Sequence, residues 1–469
     1  MGAHGDTFSS RDVKCEKPSS SVGLRFAFMR GVGSTPRVLI AGGGFVGLYS
    51  ALGLEKRLKP PEAEIVLVSR ESFMTYQPFL PEAAAGNLEP RHVAVPLRTV
   101  LKRTRLVTGR VTRIDHERRA VSVSSTEGDQ QEIAYDVIVL GLGSVSRTLP
   151  VPGLTEVAVG FKSIAEAIYL RNQVLSRMDA AESTSDMSLR RRALTFVFVG
   201  GGYAGVEALA ELEDLSRDAA RRYRTISRAD IRWVLVEAAP EILPEMAPES
   251  GRYAVDTLME RGVEVHLSTR VESAEGGRLQ LSNGVELETD TLVWTAGVRA
   301  DPIVARLGWP TDDRGRVPVD GYLRVRGVGG AWAAGDCAAV PDLMAGGVNP
   351  PTAQHALRQA RRLAANLAAD LRGQPMREFR YKNMGGLASL GRYKGVAKVL
   401  SLRLRGFPAW FLHRSYHLLM IPTFNRKVRI VLDWTVALFF RRDVVQLGSL
   451  QRPRQPFQEA AEGTDGPAP

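Results

Sequence analysis

The stretch Arg37–Ala51, RVLIAGGGFVGLYSA, constrains the fold more than any other part of the chain. Val38, Leu39, Ile40 and Ala41 run into Gly42-Gly43-Gly44-Phe45-Val46-Gly47, and a helix-compatible segment follows. The apolar run reads as a buried strand. The glycines allow a tight turn and close backbone approach to a pyrophosphate at the positive end of a helix. Glycine clusters also occur in ordinary turns, but the flanking strand and helix supply the context that a dinucleotide loop requires. Gly42, Gly44 and Gly47, with Phe45 and Val46 between them, are therefore candidate cofactor-binding residues.

A second strand–glycine–helix unit begins at Leu194 with LTFVFV and continues as Gly200-Gly201-Gly202-Tyr203-Ala204-Gly205-Val206-Glu207. Two such units are far more specific than one, and they predict a flavoprotein with two dinucleotide sites. Gly200, Gly202, Tyr203 and Gly205 are candidates at the second. The strand after it, Trp233–Val236, ends in Glu237, an acid suited to the free 2′-hydroxyl of NADH and repelling the 2′-phosphate of NADPH. The first unit departs from this pattern. Its second strand, Ile65–Val68, ends in Ser69-Arg70-Glu71, so a serine stands where a ribose-binding acid is expected. Serine bonds a ribose hydroxyl more weakly than a carboxylate does.

Other segments complete the α/β pattern. Residues 105–123 alternate in strand fashion, and Tyr135–Ser144 reads as a buried strand ending in Gly141 and Gly143, beside the first site. Residues 161–178 are helix-compatible, and 179–192 read as a polar, charged loop. Strands at 263–267 and 291–295 complete the second sheet, and Ala296-Gly297-Val298-Arg299 carries the chain back. The apolar strand Ala331–Ala334 ends in Gly335-Asp336, whose carboxylate suits a ribitol hydroxyl, although Gly-Asp after a strand is by itself a turn signal. The loop Ser72–Glu82 fits either core packing or cofactor lining.

Glu207 follows the third glycine of the second loop closely. It fits a place where nicotinamide and flavin rings meet, or a first-turn carboxylate on the helix dipole. From Pro350 an Ala-rich helix carries Ala353, Gln354, His355, Arg358 and Gln359, which suit either a flavin-facing or an exposed surface. His355 has no companion ligands, so no metal site is expected. With Cys15 and Cys337 as the only cysteines, there is no disulfide framework.

The net charge of +11 is concentrated near the C-terminus: Arg392–Arg442 holds eleven Lys/Arg and one acid, Asp433. Within it, Phe407–Ile421 and Arg426–Arg442 read as apolar helices with aromatics and basic flanks. Both are too short and charged to span a bilayer, and they suit the interface of an anionic membrane. A homodimer seam would bury the same face, with less need of the basic residues. Nucleic acid is not expected, because the aromatics lie in continuous apolar runs and not between basic residues.

With these features together, the chain resembles the type II NADH:quinone oxidoreductases (alternative NADH dehydrogenases) of the two-dinucleotide-binding-domain flavoproteins. The resemblance spans 37–447 and rests on TFVFVGGGYAGVE, YQPFLPEAAAG, TLVWTAGVRADP, AAGDCA and the basic C-terminal helices. It implies FAD held by Gly42, Gly44, Gly47 and Asp336, and NADH held by Gly200, Gly202, Gly205 and Glu237. It also implies a membrane quinone as acceptor, Glu207 on the nicotinamide/quinone side of the flavin, and a peripheral location on the cytoplasmic face of the plasma (inner) membrane. The family's acceptor-site pattern A-Q-x-A-x-Q reads Ala353-Gln354-His355-Ala356-Leu357-Arg358 here, so a cation replaces the second glutamine and Gln359 follows it.

The expected architecture is two Rossmann-type domains, for FAD (35–155 with 299–378) and NADH (156–298), and a C-terminal membrane-associating helical segment (379–452). Disordered tails are expected at 1–34 and 453–469. The expected reaction passes two electrons from NADH through FAD to a quinone without proton pumping, with Glu207, Gln354, Arg358 and Gln359 orienting rings or relaying protons. A flavin reductase of another lipid-soluble acceptor and a non-catalytic FAD/NADH redox sensor are the alternatives.

Overall fold

The computed structural model describes residues 35–382 and 385–446, so the expected tails at 1–34 and 453–469 lie outside the described residues. Val38, Leu39, Ile40 and Ala41 of strand β1 (Arg37–Ala41) are all fully buried. A continuous apolar run is what a strand covered on both faces requires. Helix α1 (Phe45–Arg57) follows, then β2 (Glu64–Ser69), the short helix α2 (Leu80–Ala84), β3 (Arg105–Thr108) and β4 (Val137–Leu140). The chain then builds a second sheet from β5 (Ala158–Val159), α3 (Ile164–Ser183), β6 (Thr195–Val199), α4 (Tyr203–Ala220), β7 (Arg232–Val236), α5 (Pro248–Glu260), β8 (Val263–His266) and β9 (Thr291–Trp294). It returns to lay β10 (Ala331–Ala333) beside β4, and α6 (Ala353–Leu371) packs on α1, with Gly53 of α1 leaving room for Ala364.

The strand orders are β10-β4-β1-β2-β3 and β5-β9-β6-β7-β8, with every pairing parallel. In each sheet the glycine loop leaves the central strand, which has the next strand of its sheet in the chain on one side and a strand reached later on the other. That is the switch point at which open α/β sheets bind ligands, beyond the carboxyl ends of the strands. Two Rossmann-like units are therefore present, as the sequence predicts.

Three segments differ from expectation. The charged stretch 179–192 is not a loop: α3 runs to Ser183, and a further helix spans Met187–Ala193. Asp186 caps the latter by accepting from the Ser188 and Leu189 amides, and Arg190, Arg191 and Arg192 lie in its last turn, where the helix dipole favours cations. The alternating run 105–123 is divided. β3 joins the parallel sheet, while Arg110–Asp115 and Ala120–Ser124 pair antiparallel with each other. The C-terminal region is not only helical: β11 (Gly385–Ser389), β12 (Gly395–Val399) and β13 (Leu402–Arg405) form an antiparallel sheet ahead of α7 (Phe407–Met420) and α8 (Phe424–Phe439).

Helices α7 and α8 are attached to the body by buried Ala409, Trp410 and Ile430 and by a set of polar groups. Glu82 of α2, 2 % exposed, accepts both arms of the Arg414 guanidinium at 3.0 and 2.8 Å and the Trp434 indole N–H at 2.8 Å. The guanidinium lies between the Trp410 and Trp434 rings, 4.1 and 4.8 Å from their centroids. Asp433 accepts from the Glu89 amide and sits 2.5 Å from His92 Nδ1. The opposite face is bare: Phe424 is 81 % exposed, Phe439 79 % and Leu419 67 %.

Candidate functional site

The loop after β1 has little room for side chains. Gly42 has φ +106°, its amide donates to Val68 O at 2.8 Å, and a Cβ there would overlap the Gly141 carbonyl. A Cβ on Gly47 would overlap the Gly42 carbonyl, so α1 lies directly on the turn. Gly44 is the N-cap of α1, with no side-chain cap and open space where its Cβ would stand. The first-turn amides of α1 are thus left for an external acceptor, and the dipole favours an anion there. The cleft they open onto is lined by Phe45, Val46, Ser69, Arg70, Gly143 and Asp336.

Ser69 is buried, and its hydroxyl donates to the Glu71 carbonyl at 2.6 Å. With its proton engaged, it has only lone pairs left for a ribose. The Glu71 side chain is exposed at the rim of the same cleft. The Ser72–Glu82 loop does both things expected of it: Thr75 and Gln77 line the cleft, while Tyr76, Phe79 and Leu80 are core.

At the far end, Asp336 accepts from Ser144 Oγ at 2.7 Å, and Lys162 Nζ donates to the same hydroxyl at 2.7 Å. Burial pushes the Lys162 ammonium below its ordinary value, while Asp336 and Glu166 pull it back up. Gly335, at φ +70°, would place a Cβ 2.7 Å from Val46 and so must stay bare for the turn to lie on α1. Its amide donates to Gln359 Oε1 at 2.8 Å. Lys162 and Ser144 escape sequence reasoning because nothing in the linear pattern ties either to Asp336.

The loop after β6 repeats this plan. Gly200 has φ +115°, Gly202 caps α4 with open space and no side-chain cap, and a Cβ on Gly205 would overlap the Gly200 carbonyl. Glu237, just beyond β7, reaches back to the loop and accepts from the Gly201 amide at 2.5 Å and the Ala239 amide at 2.7 Å. Gly297 stands at φ +90° with nothing near its Cβ direction. Tyr203 opens α4 but turns its hydroxyl toward Gly386 of β11, and burial raises its phenol.

Comparison with known proteins agrees with this pair of loops. Residues 36–360 match the family model described as pyridine nucleotide-disulphide oxidoreductase. The type II NADH:quinone oxidoreductase Ndh of Mycobacterium tuberculosis is 32 % identical over 87 % of this chain and 89 % of its own. The chain belongs to the type II NADH:quinone oxidoreductase family. A demethylphylloquinone reductase of Synechocystis is 31 % identical over 85 % of this chain and 95 % of its own. The fold is that of NDH2 from Plasmodium falciparum, solved in complex with NADH, with a TM-score of 0.81 at 17 % identity, covering 88 % of this chain and 100 % of the other.

As a member of this family the chain is an FAD-dependent oxidoreductase, and the first cleft fits that group: bare glycines where a phosphate must approach, and a carboxylate at the other end. Of the residues at the family's acceptor-site pattern, Ala353 lines this cleft, and Gln359 supports it through Gly335. Gln354 and Arg358 are drawn to Tyr381 instead. The Tyr381 hydroxyl donates to Gln354 Oε1 at 3.3 Å, and the Arg358 guanidinium lies 4.5 Å from the ring centroid. His355 faces the same ring edge-on, and burial, with Arg358 beside it, lowers its imidazole to about 4, so it is neutral at pH 7. Cys337 is fully buried, and burial raises its thiol to about 11, which leaves it unreactive.

Glu207 lies one turn into α4 and is buried. Its Oε1 accepts from the Ser389 amide at 2.8 Å and stands 3.1 Å from His413 Nε2. It is therefore bound across to β11 and α7 rather than left as a solvated first-turn carboxylate. Neither partner is signalled by spacing along the chain.

Proposed function

We propose that the protein oxidises NADH held at the second loop, with FAD in the first cleft, and passes two electrons to a membrane quinone without pumping protons. The observation that carries this reading is the duplicated loop, with Asp336 completing one site and Glu237 the other. FAD-binding residues are then contributed by 35–155 and 299–378, and NADH-binding residues by 156–298. The bound flavin supplies hydride acceptance and electron transfer. The chain supplies placement: the bare amides of α1 and α4 hold the diphosphates, and Arg70 lies on the rim of the adenosine end. Asp336, fixed by Ser144 and Lys162, takes a ribitol hydroxyl, and Ala353 and Gly143 allow close approach of the ring system. Gln354, Arg358 and Gln359 act on the acceptor side, and Glu207 borders the nicotinamide.

Glu237 tests the donor assignment. Each of its oxygens already takes one backbone amide, which aims the remaining lone pairs outward at the ribose. Glu237→Gln is expected to weaken NADH binding by roughly ten- to a hundredfold, the worth of a hydrogen bond to a charged group, and to narrow the preference over NADPH. The ratio of kcat/KM for the two nucleotides measures this. An unchanged ratio places the ribose elsewhere.

The exposed face of α7 and α8 supports a peripheral membrane seat. Among the described residues no helix is long and apolar enough to cross a membrane. Yet Phe424, Leu432, Val436 and Phe439 lie exposed on one helix whose first turns carry Arg426, Lys427 and Arg429. Such a helix lies in an interface and favours the anionic cytoplasmic leaflet. Phe424→Asp combined with Phe439→Asp is expected to release the protein from anionic vesicles in a sedimentation assay at little cost in folding, since both rings are already in water. Retention on vesicles defeats the interfacial seat, and a variant that instead changes from dimer to monomer assigns the face to a second copy.

A further inference from the structure

The charged side chains that line the first cleft divide between its two ends. Arg70, Glu71 and Arg110 are exposed at the adenosine end, where the Gly109 amide donates to the Ser69 carbonyl. Lys162, Asp301 and Asp336 are partly buried at the other end, near Gly143. The Asp301 amide donates to the Gly143 carbonyl at 3.3 Å, which fixes it there. Among the described residues lining the cleft, this inner end therefore holds two carboxylates and one cation.

Each of these three groups is held in place. Asp336 accepts from Ser144 Oγ at 2.7 Å, and Lys162 Nζ donates to the same hydroxyl at 2.7 Å. With its proton given to Asp336, that hydroxyl keeps its lone pairs for the ammonium. The Lys162 main chain is anchored separately: its amide donates to Glu166 Oε2 at 2.8 Å, and its carbonyl accepts from Gln77 at 3.3 Å. Asp301 Oδ1 accepts from the Ile303 amide at 3.0 Å. Burial lowers the Lys162 ammonium below its ordinary value, while Asp336 and Glu166 favour its charged form. The cation thus stands one hydroxyl away from the carboxylate that suits a ribitol hydroxyl.

Charges at the ribitol end bear on the electrons that the cofactor receives. The ribityl chain leaves the flavin ring at N10, separated from N1 by a single ring carbon. A hydride brings two electrons with one hydrogen and no further proton, so the ring gains one negative charge, centred on N1 and the neighbouring C2 carbonyl. Asp336 and Asp301 oppose that charge, and a cation beside them favours it. We propose that Lys162 offsets Asp336 and Asp301 at the ribitol end of the cleft and so raises the two-electron reduction potential of the bound flavin. This rests on FAD in the first cleft and not on the identity of the acceptor. Lys162 acts through its charge and takes no part in making or breaking bonds. A lysine that only helped to bind the cofactor would alter flavin retention, whereas one that tunes it alters the balance of oxidised and reduced flavin at a fixed potential.

The test measures the midpoint potential of the FAD-loaded protein by anaerobic equilibration with a reference dye. Lys162→Met keeps the stem and removes the charge. It is expected to shift the two-electron equilibrium toward oxidised flavin by roughly ten- to a hundredfold, about 30–60 mV. Lys162→Arg keeps the charge and should hold the potential near that of the unsubstituted protein. Ser144→Ala removes the tie to Asp336 but not the cation, so it should loosen FAD with a smaller change in potential. Lys162→Gln, which keeps a donor for Ser144, decides if Lys162→Met does not retain flavin. A potential that is unchanged or raised in the neutral variant overturns the proposal. So does loss of flavin from both neutral variants, which assigns Lys162 to binding alone. An unsubstituted protein that takes up no FAD overturns the reading of the cleft instead.

Discussion

Glu82→Ala is expected to destabilise the protein by about 3–5 kcal/mol, the usual result of removing one partner from a buried ion pair. The Arg414 guanidinium would lose both its hydrogen bonds, the Trp434 indole its acceptor, and a cation would be left unpaired between two rings. The loss should fall first on α7 and α8, whose opposite faces are exposed. Tryptophan fluorescence, with Trp410 and Trp434 as local reporters, should therefore change at lower denaturant than circular dichroism of the two sheets. Pairing Glu82→Leu with Arg414→Met removes both charges together and should recover much of the stability, because the desolvation cost disappears with the ion pair. A Glu82→Ala protein as stable as the unsubstituted one would mean that this pair does not hold the C-terminal helices.

The second large effect separates two glycines of one loop. Gly47→Ala puts a methyl into the Gly42 carbonyl and so forces α1 off the turn, whereas Gly44→Ala meets nothing in the protein. Gly47→Ala is expected to purify colourless, or to lose most of its FAD on dialysis. Gly44→Ala should fold with unchanged stability and bind FAD more weakly, because its methyl occupies space that only a ligand uses. Absorbance of the bound flavin and the thermal midpoint of the flavin-free protein distinguish the two. Equal flavin retention in both variants would remove the pyrophosphate from this loop.

What was readable along the chain was local. Val38–Ala41 with Gly42, Gly44 and Gly47, and Phe196–Val199 with Gly200, Gly202 and Gly205, carry strand, turn and helix start within a few residues, and both form as expected. Gly335-Asp336 lies between its strand and α6 on the same grounds. The failures have two causes. Charge density hid the helix Met187–Ala193, since a basic run resembles a solvated loop unless the Asp186 cap is weighed with it. The pairings of Glu82 with Arg414, Asp336 with Ser144 and Lys162, and Glu207 with His413 join residues far apart in sequence. No periodicity relates such residues, because the partners are chosen by packing. Arg358 shows the same limit: its guanidinium lies over Tyr381, a residue that no pattern linked to it.

On the reading proposed above, two dinucleotide sites on one chain connect NADH to a quinone. Anaerobic mixing of the FAD-loaded protein with NADH, followed by a quinone analogue, tests it most directly by flavin absorbance. Bleaching is expected on the first addition and return of the yellow colour on the second, with one quinone reduced per NADH. A flavin that stays oxidised in the presence of NADH would contradict it.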